Sequence, residues 1–325
     1  MPLSRRGLLR LAAAGAAFPA MPRLARAEPY PARPIRLLVG FAAGGNFDTV
    51  ARLFGQSISD RLGQPVVVEN RPGAGSNIAT EAVVRAPADG YTLLLCGAVN
   101  TTNAALYDKL GFNFISDVAP IAGLVRFPNV MTVATSFPAK TVSEFIAYAR
   151  ANPGKINQGS SGRGTTQHLA GELFKTMAGV DFVHVPYRGA AQAVTDLLNG
   201  QVQVLFEPLP ATIEHIKSGT LRGLAVTSAK RSEALPEVPT VGELMPGFEA
   251  TGWSGLSAPK STPTDIVQKL NAAVQAGLAD AKLKARLSDL GAEPIGGSPQ
   301  EFGKLIAEET EKWGKVIRTA NIRLE

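Results

Sequence analysis

Ile35-Arg36-Leu37-Leu38-Val39-Gly40-Phe41-Ala42-Ala43-Gly44-Gly45-Asn46-Phe47-Asp48 reads as a strand that runs through a glycine-rich turn into a helix. The first five residues form a short apolar run. From Asn46 to Leu62, Val50, Leu53, Phe54, Ile58 and Leu62 then recur close to the i, i+3, i+4, i+7 spacing of a buried helix face. A second stretch repeats the order: Asn157-Gln158-Gly159-Ser160-Ser161-Gly162-Arg163-Gly164-Thr165-Thr166-Gln167-His168, with helical period from Thr165 to Met177. Glycine suits both turns, because a tight strand-to-helix turn often needs positive φ and a side chain would hold a ligand away from the backbone. Taken singly, each is as well explained as an ordinary βα turn. Their occurrence once in each half of the chain favours a paired binding role.

Working outward, short runs rich in Val, Ile and Leu alternate with helical stretches, the pattern of βα units around a mainly parallel sheet. Val66–Val68 and Thr92–Cys96 predict strands, with a short helix over 78–85 between them. A second series starts after Phe127: strands over 130–134, 157–160, 182–185, 202–206 and 221–227, and helices over 141–150, 165–177 and 190–199. Thr141-Val142-Ser143-Glu144 and Ser298-Pro299-Gln300-Glu301 are capping boxes, the latter with proline at the first helical position. The last quarter predicts one helix from Thr262-Pro263 to Leu290. A final helix follows, whose Phe302, Leu305, Ile306, Trp313, Val316 and Ile317 share a face expected to pack back onto the first lobe. The fold class is therefore α/β with two lobes. The division is 28–127 plus 253–325 for lobe 1 and 128–252 for lobe 2, with hinge crossings near 125–130 and 245–255.

Residues 1–27 carry paired arginines, an alanine-rich apolar stretch and a closing Ala25-Arg26-Ala27, which predicts a secretory leader cleaved after Ala27. Ser4-Arg5-Arg6-Gly7-Leu8-Leu9-Arg10 follows the twin-arginine pattern, so a periplasmic destination is expected by that route or the general secretory one. The charge balance of +6 depends on this segment: removing Arg5, Arg6, Arg10, Arg23 and Arg26 leaves 28 basic against 27 acidic residues. No basic patch with interleaved aromatics remains to suggest nucleic acid. The lone Cys96 lies in the apolar run from Tyr91 and reads as a core side chain.

Open α/β sheets hold ligands at the carboxyl ends of their strands, where helix N-termini offer free N–H groups and a partial positive charge. That chemistry suits a small organic anion, a carboxylate above all, held by two donor nests. The candidate ligand-binding residues are Phe41, Ala42, Ala43, Gly44, Gly45, Asn46 and Asp48 in the first turn and Ser160, Ser161, Gly164, Thr165 and His168 in the second. Asn100, Tyr187 and Glu207, at other strand ends, and Trp253 near the hinge complete the set. Asp48 has a competing role, since an acid in a helix's first turn bonds backbone amides. Trp253 reads equally as hinge packing. Glu207, if it reaches the cleft, favours a ligand bearing an ammonium or hydroxyl group.

Enzymatic and cofactor readings fail on particular residues. Gly159-Ser160-Ser161-Gly162-Arg163 misses the nucleophile elbow at its last position, leaving a hydrolase with Ser161 and His168 as a minor alternative. Gly73-Ala74-Gly75-Ser76-Asn77-Ile78 has Ile78 where a dinucleotide fingerprint needs a small residue, and no P-loop occurs, so no cofactor is expected. His168, His184 and His215 are too scattered for a metal motif on one element, and the latter two read as core or surface histidines.

From Tyr30 to Ile322 the chain resembles the substrate-binding receptors of tripartite tricarboxylate transporters, the Bug proteins. The matching blocks are Glu69-Asn70-Arg71-Pro72-Gly73-Ala74-Gly75, Ala88-Asp89-Gly90-Tyr91-Thr92, His168-Leu169-Ala170-Gly171-Glu172-Leu173, Val185-Pro186-Tyr187-Arg188-Gly189, Ala225-Val226-Thr227-Ser228-Ala229-Lys230-Arg231-Ser232 and Leu235-Pro236-Glu237-Val238-Pro239-Thr240. The resemblance implies a monomeric periplasmic Venus-flytrap fold of type II kind. Its lobes would close on a dicarboxylate, tricarboxylate, amino acid or aromatic acid, partly through ordered water, for delivery to a membrane permease or, alternatively, a sensor protein. Phe41-Ala42-Ala43 stands where such receptors commonly have prolines, and Glu207 where aspartate is common. These departures leave ligand identity open and the anion-binding mode intact.

Overall fold

The structure is a computed structural model that describes residues 29–107, 109–187 and 189–322. The leader and Arg188 lie outside the described residues. In chain order the elements are β1 (Ile35–Val39), α1 (Asn46–Leu62), β2 (Val66–Asn70), α2 (Asn77–Val84), β3 (Thr92–Gly97), α3 (Ala98–Leu106), α4 (Phe114–Asp117) and β4 (Val118–Phe127). The chain then crosses to β5 (Asn129–Ala134), α5 (Val142–Ala151), β6 (Asn157–Ser160), α6 (Thr166–Ala178), β7 (Val183–Pro186), α7 (Ala190–Leu198), β8 (Val204–Pro208), α8 (Leu209–Lys217), β9 (Leu221–Val226) and α9 (Val241–Leu244). It returns through β10 (Gly252–Pro259), α10 (Thr264–Ala279), α11 (Ala281–Asp289), β11 (Glu293–Gly296) and α12 (Pro299–Thr319).

Two sheets result, ordered β11-β4-β10-β3-β1-β2 and β7-β6-β8-β5-β9. Leaving out edge strand β11, both follow one plan: β1 sits between β2 and β3 with the crossing strand β10 beyond β3, and β6 sits between β7 and β8 with the crossing strand β5 beyond β8. The two glycine turns therefore occupy equivalent places, after β1 and after β6. The two-lobed α/β architecture is as expected, but the sheets are mixed, not mainly parallel. Pairings β1·β2, β1·β3, β6·β7 and β6·β8 are parallel, as βα units require. Strands that carry the chain between lobes, β10 and β5, run antiparallel to both neighbours.

Local sequence explains the main elements. Leu37, Leu38 and Val39 of β1 are at most 1% exposed, so this central strand is apolar on both faces. Helix α1 buries Val50, Phe54 and Ile58 against it, each worth about 1.5–3 kcal/mol of apolar burial. It ends at Gly63, in the left-handed region, whose N–H donates to Ser59 O. The helix predicted over 262–290 divides at Asp280, which accepts from the N–H groups of Lys282 and Leu283 and so caps a new helix. β4 and β10 are strands that sequence patterning does not predict: Pro120, Gly123, Gly252 and Gly255 mask them. Gly255 is required by close approach, since a Cβ there would stand 2.1 Å from Phe302 Cζ.

The crossings lie side by side. Thr227 Oγ1 donates to Ala250 O at 2.7 Å and accepts from the Asn129 N–H at 3.0 Å, and the Thr227 N–H donates to Asn129 O. Arg126 and Glu249 pair at 3.3 Å across the same two segments. Helix α12 departs from expectation by serving both lobes. Phe302 and Ile306 enter the core of the first sheet with Leu38, Leu94 and Cys96. Trp313 and Ile317 enter the core of the second with Val133, Phe145 and Leu169. A helix of 21 residues is about 30 Å long, enough for one continuous apolar face to span two cores. Leu106 of α3 joins the second core too. Among the described residues no helix is long and apolar enough to cross a membrane.

Candidate functional site

The glycine turns lie at the carboxyl ends of β1 and β6, equivalent strands of the two sheets. In the first, Ala42 to Asn46 are exposed, Phe41 is half-buried, and the Phe41 and Phe47 rings meet at 4.5 Å. Helix α1 starts at Gly45 with no side-chain cap, so its leading N–H groups remain available. Asp48 does not point outward: it is 4% exposed and accepts from the Gly44 N–H, Arg52 Nε and Nη2, and Asn70 Nδ2, all at 2.9–3.0 Å. The Arg52 guanidinium chiefly, with the Gly44 N–H and Asn70, holds its carboxyl down at about 2 against the effect of burial. Asp48 is thus an ionised brace that fixes Gly44. Asn70 also donates to Phe41 O at 3.0 Å, which gives the Glu69–Gly75 block a structural reason.

The second turn is built differently. Helix α6 is capped by Thr165, whose Oγ1 accepts from the His168 N–H at 3.4 Å and donates to Gly162 O at 2.7 Å. The Gly164 N–H donates to His168 Nδ1 at 3.1 Å, which leaves the proton on Nε2, 3.7 Å from Glu172 Oε1. The His168 ring stacks on His184 at 3.7 Å, and His184 Nε2 is 2.6 Å from Ser160 Oγ. Burial, with the charges of His184, Arg163 and Lys175, pushes His168 down to about 3, and burial with Arg163 and Lys175 takes His184 to about 4. Both rings are neutral near pH 7, so the Glu172 contact is not an ion pair there. Gly164 meets the first lobe: its φ is +74°, a Cβ would stand 2.5 Å from Leu106 Cδ1, and its carbonyl is 3.5 Å from Thr102 Oγ1.

Ser161 is half-buried and donates to both oxygens of Glu207, at 2.9 and 3.0 Å. Gln167 Nε2 adds a 3.4 Å contact to Glu207 Oε2. Glu207 is fully buried, and burial pushes its carboxyl up to about 7 against those hydrogen bonds. It stands behind Ser161, so any influence on a ligand passes through that hydroxyl.

The remaining candidates have internal duties. Asn100 is 3% exposed, accepts from the Gly97 N–H at 2.9 Å and donates to Thr80 Oγ1 at 2.8 Å, capping α3. Tyr187 donates to Asp196 at 2.7 Å, and burial with that carboxylate pushes its hydroxyl up to about 12. Trp253 is 2% exposed and meets Phe302 edge-to-face at 5.7 Å in the first core, a packing position and not a cleft wall. Ser161 and His168 do not pair as nucleophile and base, because each has another partner. His184, Gln167, Asn70 and Arg52 belong to the site and were not expected there. Arg52, four residues after Asp48, was the one with a readable signal.

Comparison with known proteins agrees with this fold. The model of the tripartite tricarboxylate transporter family receptor matches residues 50–322. Protein BugT of Bordetella pertussis is 36% identical over 318 residues, 97% of this chain and 96% of its own. The solved structure of R. palustris Rpa4515 with adipate has a TM-score of 0.82 at 40% identity, over 91% of this chain and 100% of that one. MatC from Rhodopseudomonas palustris with bound malate gives 0.78 at 33% identity, over 89% and 100%. With two sheets of matching plan, a glycine turn on each and these matches across nearly its whole length, the chain belongs to the tripartite tricarboxylate transporter receptor family, a family of solute-binding receptors.

Proposed function

We propose that this receptor captures a small organic carboxylate between its lobes. The observation that carries the reading is the exposed start of α1 at Gly45-Asn46, which no side chain caps and which Asp48 braces from behind through the Gly44 N–H. One carboxylate docks on the leading N–H groups of α1, those of Gly45, Asn46 and Phe47, and closure brings the turn of Ser161, Gly164 and Thr165 onto it, with His168 holding the turn in shape. Closure is favoured by contacts that exist only in the closed state. Adipate and malate, named with the two solved relatives, are both dicarboxylates, which supports a dicarboxylate here. The receptor works as a monomer outside the cytoplasm, where the predicted leader sends it, and hands its cargo to a membrane permease. Its mature charge is close to neutral, so affinity comes from local backbone dipoles and not from a long-range field.

A thermal-shift screen of organic acids on the mature protein tests this. An acid present at 100 times its Kd is expected to add about 2.7 kcal/mol of stability, roughly 4 °C in Tm for a protein of this size. A panel of mono-, di- and tricarboxylates, amino acids and aromatic acids that leaves Tm unmoved contradicts the reading.

A further inference from the structure

A hydroxyl carries one proton and can donate it in one direction only. Ser161 directs its proton to Glu207, whose two oxygens lie 2.9 and 3.0 Å away. What Ser161 then turns toward the cleft is lone pairs. A ligand carboxylate is also an acceptor only, so an ionised Glu207 would place two anions on either side of one oxygen that has no proton left for the second. Burial sharpens the conflict: Glu207 is fully buried, and its contacts from Ser161 and Gln167 are neutral groups.

We propose that Glu207 is a positioning residue that sets the polarity of Ser161, and that a carboxylate closing onto this turn does so together with one proton taken up by Glu207 from solvent. This rests on the carboxylate reading of the cleft. The proton settles on Oε1, because Oε2 accepts from the Gln167 amide. Glu207 then donates to Ser161 Oγ, which frees the Ser161 proton for the ligand carboxylate. The charge behind the turn disappears as the ligand's charge arrives. At high pH the same hydroxyl faces the cleft as an acceptor and suits a ligand hydroxyl or ammonium group instead.

The charged and titratable groups on the elements around Glu207 are few. The adjoining strand β5 has no titratable side chain. The second turn contributes Arg163, and α6 contributes His168, Glu172 and Lys175. Strand β7 contributes His184, and α7 contributes Asp196, which accepts from Tyr187. Glu214, His215 and Lys217 sit in the last turns of α8, the end away from Glu207. Across the lobes, Asp48 is ionised and paired with Arg52. His168 and His184 stay neutral throughout, and burial pushes Glu207 up to about 7.

Two measurements test the proposal. In ligand-free protein, the Glu207 side-chain carboxyl is followed by carbon NMR against pH, assigned by its loss in Glu207→Gln. A midpoint near 7 is expected; one in the ordinary carboxylate range overturns the proposal, whatever the variant's stability. Calorimetric titration with adipate is then run in buffers of different ionisation enthalpy. Wild type should take up about one proton near pH 8 and lose about tenfold in affinity per pH unit above 7. Glu207→Gln, whose amide donates to Ser161 permanently, should take up none and show affinity that does not change with pH. A flat wild-type profile, or an equal slope in the variant, overturns the coupling. If no acid of the thermal-shift panel binds either protein at any pH, the carboxylate reading fails and the coupling with it, whereas an acid that binds with a flat pH profile overturns the coupling alone.

Discussion

Replacing Trp313 with alanine is expected to lower unfolding stability by about 3–5 kcal/mol, the range for removing a buried aromatic from a packed core. That is a large share of the total for a protein, about 5–15 kcal/mol. The ring is fully buried in the second core, and its Nε1 donates to Glu309 Oε2 at 2.7 Å within its own helix. Substitution therefore leaves a cavity and removes one of the two side-chain partners of the Glu309 carboxylate, Lys312 remaining at 3.2 Å. The effect should not be confined to stability. Helix α12 is anchored in the first lobe by Phe302 and Ile306 and touches both α3 and α6, and Trp313 shares a core with Leu106 of α3 and Leu169 of α6, so the truncation also loosens one lobe from the other. Urea unfolding measures the first effect and solution scattering the second. A loss below about 1 kcal/mol would mean that this end of the helix is not part of the second core.

Gly164→Ala is expected to open the lobes and weaken carboxylate binding at least tenfold, through two separate costs. A non-glycine residue held at φ +74° costs about 1–2 kcal/mol. The added Cβ would also lie 2.5 Å from Leu106 Cδ1, and overpacking of that kind costs about 1–3 kcal/mol unless a neighbour moves. The neighbour belongs to the first lobe, so the relief available is to turn Leu106 within the second core or to part the lobes at the binding turn. Parting is read as a larger radius of gyration without ligand and a lower affinity with it. Unchanged scattering and affinity would place the lobe contact somewhere other than Gly164.

The strand, glycine turn and helix at Ile35–Leu62 and at Asn157–Ala178 were legible because periodicity and glycine placement are local. β4 and β10 were not, because proline and glycine in those strands answer to tertiary packing against Ile295 and Phe302. Asp280 splits a helix whose apolar period continues past it, a choice made by one side chain bonding two N–H groups. Within the site, the candidate turns could be named from sequence. The pairings could not: Ser161 and Glu207 lie 46 residues apart, and His184 reaches the turn only because β7 is laid parallel to β6. The sequence leaves Asp48 divided between ligand and backbone, and its contacts with Arg52 and Asn70 decide for the backbone.

The most direct test of the account is a crystal structure of the mature protein with adipate. One carboxylate oxygen is expected at about 2.7–3.2 Å from the backbone N–H groups of Gly45, Asn46 or Phe47, directly or through one ordered water, with the second lobe's Ser161 closed onto the same carboxylate. Adipate seated elsewhere, with its carboxylates paired to cationic side chains and the start of α1 left to solvent, would contradict it.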